Sequence, residues 1–280
     1  MKGHIERHEQ FASRWVDARN VDVWLPPGYE TDRRRRYPVL YMHDGQNLFD
    51  PSLSFSGVDW GVHEQIESMI RDGEIDGIIL VGIWNTPKRI PEYMPEKPLR
   101  NPQFAHLLKR FIENYGDEPR SDDYLRFIVR ELKPFIDRTY RTRPEQRDTH
   151  VMGSSMGGLI SLYALCEYPN VFHGAACLSP SWPIGGKVML PYLEDHLPDP
   201  RNHRIYFDYG VEAHIGSYEH IQRQIDTVLR KGGYERDVNW MTERFPGAPH
   251  SEAAWRERVD VPLRFLLRTQ VPRTRLAVSS

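Results

Sequence analysis

The sequence predicts an α/β protein with a doubly wound, mostly parallel central sheet, helices on both faces and an antiparallel opening hairpin. Three observations predict it. Residues 77–83 form a continuous apolar run, the pattern of a strand buried on both faces of a parallel sheet. From residue 149 onward, strand and helix patterns alternate, which implies parallel strands joined by right-handed helical crossovers. No Pro/Gly/Ser-rich linker and no internal repeat divides the 280 residues, so 1–280 is expected to be a single domain.

Each element has its own signal. Residues 21–25 alternate apolar and polar side chains and stop at Pro26-Pro27-Gly28, which reads as a strand and a turn. The charged stretch 31–36 is expected to be a solvated hairpin loop leading to a second strand over 37–42. Residues 57–71 are patterned as an amphipathic helix. Five prolines between Pro87 and Pro102, punctuated by Trp84 and Tyr93, predict a long ordered loop over 84–102. A helix is predicted over 121–140. Ser121 is its cap, Leu125, Ile128, Val129, Leu132, Phe135 and Ile136 form its apolar stripe, and Pro134 should kink it. Strands follow at 149–153, 171–179, 203–209 and 238–245, with helices at 156–168, 217–231 and 252–267.

Composition narrows the function classes. Apolar residues make up 39% of the chain and charged residues 27%, enough for a large core and too apolar for disorder. Thirty-seven basic residues against 39 acidic ones leave a charge of −2, so no global field favours nucleic acid or an anionic membrane. No run approaches the ~20 apolar residues of a membrane span, and residues 1–10 lack the apolar core of a secretory signal. A cytoplasmic protein is therefore expected. Cys166 and Cys177 are too few for a disulfide framework and are expected to be buried small apolar side chains.

The sharpest local signal is Gly153-Ser154-Ser155-Met156-Gly157-Gly158, a G-x-S-x-G pattern with a strand before it and a helix after it. A serine nucleophile needs a tight strand-to-helix turn, and glycine at −2 and +2 gives the neighbouring backbone room. Ser155 has both glycines; Ser154 is the adjacent alternative. The base should come after the last strand, where His250 stands in Gly247-Ala248-Pro249-His250. The acid that orients it should follow the preceding strand. Glu212 lies just past Gly210, and Asp208 is the rival two residues before that glycine. Oxyanion donors are expected from the backbone N–H groups of Met156 and Gly45, with Gln46 possible in place of Gly45. His43 and Asp44 have no partner cluster at ligand spacing, so no metal and no cofactor are expected. Trp60, Trp84, Arg89, Tyr93 and Trp182 fall on or near loops at the predicted C-terminal edge of the sheet. They are the candidate substrate-binding residues: rings with one arginine, suited to an aromatic or catecholate acyl group or a sugar face, or to packing the loops on the core.

The chain resembles the Putative esterase family of α/β-hydrolases, which includes S-formylglutathione hydrolases, feruloyl esterases, trilactone siderophore esterases and mycolyl transferases. The resemblance covers roughly residues 21–267. It is carried by Leu25-Pro26-Pro27-Gly28-Tyr29, Tyr37-Pro38-Val39-Leu40-Tyr41, His43-Asp44-Gly45-Gln46-Asn47-Leu48-Phe49, the elbow, Leu178-Ser179-Pro180-Ser181-Trp182, and His250 with Ala254-Trp255. The segment Gly82-Ile83-Trp84-Asn85-Thr86, with Arg89 and Glu92-Tyr93, is similar to a loop of the siderophore-esterase branch. The resemblance implies a serine esterase with a Ser–Glu–His order acting on a small-molecule ester. Relatives place the acid about three residues after the strand-ending glycine; Glu212 stands two after Gly210. Acyl transfer to a non-water acceptor would use the same residues. A non-catalytic binding protein of this fold would have lost one of them.

Overall fold

Strands that are apolar at successive positions lie in the middle of the sheet, and the chain's most polar strand lies at its edge. The computed structural model describes residues 2–211 and 216–267. Its elements run in this order: β1 His4–Phe11, β2 Arg19–Leu25, β3 Val39–His43, a 3-10 turn Gly45–Asn47, α1 Val62–Arg71, β4 Ile79–Ile83, α2 Arg89–Tyr93, α3 Glu96–Leu99 and α4 Ala105–Tyr115. Next come α5 Ser121–Phe127, a π turn Ile128–Leu132, α6 Lys133–Thr139, β5 Thr149–Ser154, α7 Met156–Glu167, β6 Gly174–Leu178 and α8 Trp182–His196. Then follow β7 Arg204–Val211, α9 Gly216–Lys231, β8 Trp240–Pro246, α10 Glu252–Arg256 and α11 Asp260–Leu267.

The eight strands form one sheet in the order β1-β2-β4-β3-β5-β6-β7-β8. The pairs β1/β2 and β2/β4 are antiparallel. All other neighbours are parallel. Because side chains alternate across a strand, Val39, Tyr41, Ile79, Val81 and Val151 face one way, towards α5 and α7. Leu40, Met42, Leu80 and Met152 face the other, towards Ile66 and Met69 of α1 and Leu263 of α11. The parallel strands therefore end along one edge, which receives the residues after His43, Ile83, Ser154, Leu178, Val211 and Pro246.

The opening hairpin exists, but between other strands than the sequence suggests. Residues 21–25 pair with β1 and β4, and 37–42 belong to the parallel core, where Val39 and Leu40 lie opposite Ile79 and Leu80. The partner is His4–Phe11, whose burial pattern is exposed almost throughout. An edge strand wetted on both faces needs no apolar alternation, and its charges discourage further pairing. The charged stretch before β3 is solvated as expected, with Asp32, Arg33, Arg34 and Arg36 exposed.

Other boundaries moved for local reasons. The long helix passes Pro134 without ending; a π turn over Ile128–Leu132 precedes it and accommodates the missing N–H. Ser121 does not cap that helix. Its hydroxyl accepts the Glu96 N–H at 2.8 Å. The loop over 84–102 contains α2 and α3, and the helix over 252–267 is divided into α10 and α11. Cys166 and Cys177 are buried free thiols. Among the described residues no helix is long and apolar enough to cross a membrane.

Candidate active site

β5 is buried along its whole length, and at its end Ser155 turns the chain into α7 with φ 57° and ψ −120°. A non-glycine residue in that region stores of order 1–3 kcal/mol of strain and persists only where its surroundings hold it. Here they do. The Ser155 N–H donates to Leu178 O at 2.9 Å, and the Ser155 carbonyl accepts the N–H groups of Ser181 (3.0 Å), Gly158 (3.1 Å) and Leu159 (3.2 Å). The glycines have a steric reason. A Cβ on Gly153 would stand 2.8 Å from the Gly157 carbonyl carbon, and one on Gly158 would stand 3.2 Å from Pro180 Cα. The predicted nucleophile is thus half-buried on a pinned elbow, at the N-terminus of a helix whose first turn carries the Met156 N–H.

The second predicted donor lies at the end of the neighbouring β3. Asp44 takes a left-handed conformation, φ 57° and ψ 46°, and the 3-10 turn Gly45–Asn47 follows. That turn's own hydrogen bonds run from Asn47 N–H to Asp44 O (2.9 Å) and from Leu48 N–H to Gly45 O (3.3 Å), so they begin after the Gly45 and Gln46 amides. Gly45 packs directly on β4, where a Cβ would fall 2.4 Å from the Gly82 carbonyl carbon. On the other side, a Cβ on Gly157 would meet Asp44 Oδ2 and His43 Cβ at 3.4 Å. The turn after β3 and the first turn of α7 therefore lie side by side.

Beneath this turn, His43 is buried with Nδ1 2.8 Å from the Tyr124 hydroxyl, and its Nε2 has no hydrogen-bond partner among the described residues. Burial pushes its imidazole down to about 3. Burial does the same to His150 (about 3) and His173 (about 4), which face each other at the opposite edge of the sheet. In an unfolded chain these rings titrate near ~6.5. The unfolded state therefore takes up protons first as pH falls. Stability should be full above about pH 6.5 and drain away as pH drops towards the folded values. The urea midpoint is expected to be clearly lower at about pH 5 than at about pH 7.5; equal midpoints would contradict it.

His250 is exposed on the loop after β8, with its ring edge-on to Trp255 at 5.0 Å. Trp255 packs in turn on Trp60, 5.7 Å between centroids, so the predicted base and this predicted substrate residue share one aromatic wall. Gly210 lets the His250 loop approach the end of β7, since a Cβ there would fall on the Ala248 carbonyl oxygen. Glu212 lies outside the described residues. The register Gly210↔Phe245 and Val211↔Pro246 brings the chain entering residue 212 beside the chain leaving β8 towards His250.

The rival acid is fully occupied. Asp208 is completely buried and ion-paired with Arg258. Its Oδ1 accepts the Ser179 N–H (3.1 Å) and Arg258 Nη2 (3.0 Å); its Oδ2 accepts Arg258 Nε (3.2 Å) and the Tyr206 hydroxyl (3.3 Å). Burial raises its pKa and Arg258 opposes the rise.

The remaining candidates separate. Tyr93 is fully buried, and its hydroxyl accepts the Asp44 N–H at 3.3 Å. Arg89 grips Asp44 through two bonds of 2.7 Å. Trp84 follows β4, with its indole N–H on Asp22 (2.8 Å) and its face under Arg7. Close by, a cavity of about 290 Å³ is lined by Gly45, Gln46, Phe49, Asp50 and the Arg7–Asp22 pair, among others. Trp182 is 1% exposed, its indole N–H on Gln222 (2.7 Å) and its ring against Phe207, within the core. The structure thus gathers Ser155, Met156, Gly45, Arg89 and Tyr93 around the ends of β3 and β5, groups Trp60 with His250, and places Trp182 in the packing. Asp44 and Asn85 were missed as site residues. The signal for Asp44 was the Asp-Gly pair closing a strand, which marks a turn needing positive φ.

A family model described as Putative esterase matches residues 13–277. The uncharacterised protein YbbA of Bacillus subtilis (strain 168) is 28% identical over 244 residues, 85% of this chain and 86% of its own. A solved ferulic acid esterase has the same fold, with a TM-score of 0.69 at 17% identity, covering 96% of this chain and 99% of its own. So does an IroE-like serine hydrolase from Shewanella oneidensis, with a TM-score of 0.69 at 21% identity over 95% and 80% of the two chains. The fold is that of the α/β-hydrolases.

Proposed function

The chain belongs to the Putative esterase family, and from that membership we propose that it is a serine carboxylic-ester hydrolase working through an acyl-enzyme. The observation that carries the proposal is the strained, pinned backbone of Ser155 at the strand-to-helix turn. Ser155 Oγ attacks the ester carbonyl while its proton passes to His250. The carbonyl oxygen, now negative, is held by the N–H groups of Met156 and of Gly45 or Gln46. Collapse expels the alcohol, which takes the proton from His250. Water then repeats the sequence on the acyl-enzyme, releasing the acid and free Ser155. Glu212 is the proposed acid that orients His250. The hydrogen bonds that already occupy both carboxylate oxygens of Asp208 support that choice, as does the adjacency of the β7 and β8 ends.

The substrate is a small-molecule ester. The cavity beside Gly45 and Gln46 has room for a short or aromatic acyl group, and Trp84 bonds Asp22 of its lining. A fluorophosphonate probe should label the protein once, and peptide mapping should put the adduct on Ser155. An adduct elsewhere, or none in protein that turns over p-nitrophenyl esters, would sink the assignment.

A further inference from the structure

We propose that Arg89, with Asn85, is a positioning residue for the oxyanion hole. By gripping the Asp44 carboxylate they hold the left-handed turn that aims the Gly45 and Gln46 N–H groups at the ester carbonyl. The inference rests on the reading of Ser155 given above.

Three donors converge on one side chain: Arg89 Nε and Nη2 at 2.7 Å and Asn85 Nδ2 at 2.6 Å. The residue they hold is one whose own backbone is left-handed, a conformation that aspartate tolerates only with local support. Its N–H is taken by the Tyr93 hydroxyl, and the side chain of the next residue but one is taken too, Gln46 Oε1 accepting the Asn85 N–H at 3.2 Å. The turn is therefore held from both sides of Gly45. The holder is itself fixed. α2 carries Arg89, Glu92 and Tyr93, and Glu92 makes two bonds of 2.7 and 2.8 Å to Arg19 in a pair almost wholly removed from solvent.

Charge gives a second reason for the pair. Asp44 Oδ2 lies 3.4 Å from where a Cβ on Gly157 would stand, near the first turn of α7, where a bare carboxylate would oppose a growing oxyanion. Arg89 cancels it. Burial raises the Asp44 carboxyl, but the charge and hydrogen bonds of Arg89, with Asn85, outweigh that and keep it ionised below its ordinary value. A buried ion pair is weak evidence for stability, because desolvation offsets the attraction. Its geometric effect here is direct.

The test uses the full chain with a neutral and an anionic p-nitrophenyl ester of equal length. Arg89→Met is expected to lower kcat for both esters by roughly 10- to 100-fold, within the range for disturbing an oxyanion donor, with KM changed less than about threefold. Inhibition by a trifluoromethyl ketone, which forms a tetrahedral adduct, should weaken in parallel with kcat. Asn85→Ala, which leaves the ion pair in place, should show the same pattern at smaller size and covers the case in which Arg89→Met does not fold. Wild-type kcat in both variants would overturn the proposal. So would an Arg89→Met effect confined to the anionic ester, which would put the guanidinium on the substrate instead. Ser155→Ala is run alongside. If it is inactive while Arg89→Met is fully active, this proposal falls alone; if it retains activity, the parent reading falls and takes this one with it.

Discussion

Ser155→Ala should lower kcat for a p-nitrophenyl ester by roughly 10⁴- to 10⁶-fold, the range seen when the nucleophile of a serine triad is removed. The protein should stay folded, because the hydrogen bonds that pin the elbow come from the Ser155 backbone and not from its hydroxyl. Alanine even keeps the strain, so the thermal midpoint should move little. Ser154→Ala is the matched control. Ser154 is buried at the end of β5, in register with Leu178, and its loss should leave turnover within about tenfold. Steady-state rates of the two purified variants decide between the adjacent serines. Substantial turnover in Ser155→Ala would refute the mechanism, and a larger loss in Ser154→Ala would shift it by one residue.

Arg258→Met should destabilise the protein by about 3–5 kcal/mol, because it strands a completely buried carboxylate. Arg258 donates twice to Asp208 and also bonds the Ser179 hydroxyl at 3.0 Å. Ser179 has φ 41° and precedes the turn whose Ser181 N–H fixes the elbow, so damage here reaches the site through the backbone. The double variant Asp208→Asn with Arg258→Met removes the stranded charge and should recover much of the loss. Urea unfolding curves measure both effects, and equal stability of Arg258→Met and wild type would contradict the first. The double variant also examines the acid. With Glu212 orienting His250, the refolded double variant keeps most of its kcat. An acid role for Asp208 would cost it about 10⁴-fold, as when a triad carboxylate becomes an amide.

What was legible in the sequence was local. The buried parallel strands announce themselves by apolar runs, and the elbow by two glycines, of which Gly153 is sterically required while Gly157 would meet a Cβ's neighbours only at 3.4 Å. Strand pairing is not local, so residues 21–25 seemed to belong with 37–42, when their neighbours are a polar edge strand and β4. α8 was invisible for a related reason. Gly185, Gly186 and Pro191 look like breakers, yet a Cβ on Gly185 would stand 2.8 Å from Leu159 and one on Gly186 2.8 Å from Ile221. The glycines serve close packing against α7 and α9, which only the folded neighbours reveal. The candidate rings divide in the same way. Tyr93 and Trp182 sit in sequence beside turns and prolines, but both are interior, and burial cannot be read from the identity of a ring. Arg89 was recognisable as a charged residue near the site; its partner, 45 positions earlier, was not.

One property of α7 bears on how this molecule comes apart. Every residue from Met156 to Cys166 is buried, so the helix has no wet side along which its amides could meet solvent by a small local fluctuation. It is hemmed in by β5, β6 and α8. Opening it means separating the middle of the sheet, which is close to opening everything. Amide exchange in α7 thus belongs to the slowest, whole-molecule class, while β1 and the short helices α2 and α3 can open at far smaller cost. The proposed nucleophile, half-buried at the head of that helix, is thus carried by the part of the backbone that opens last.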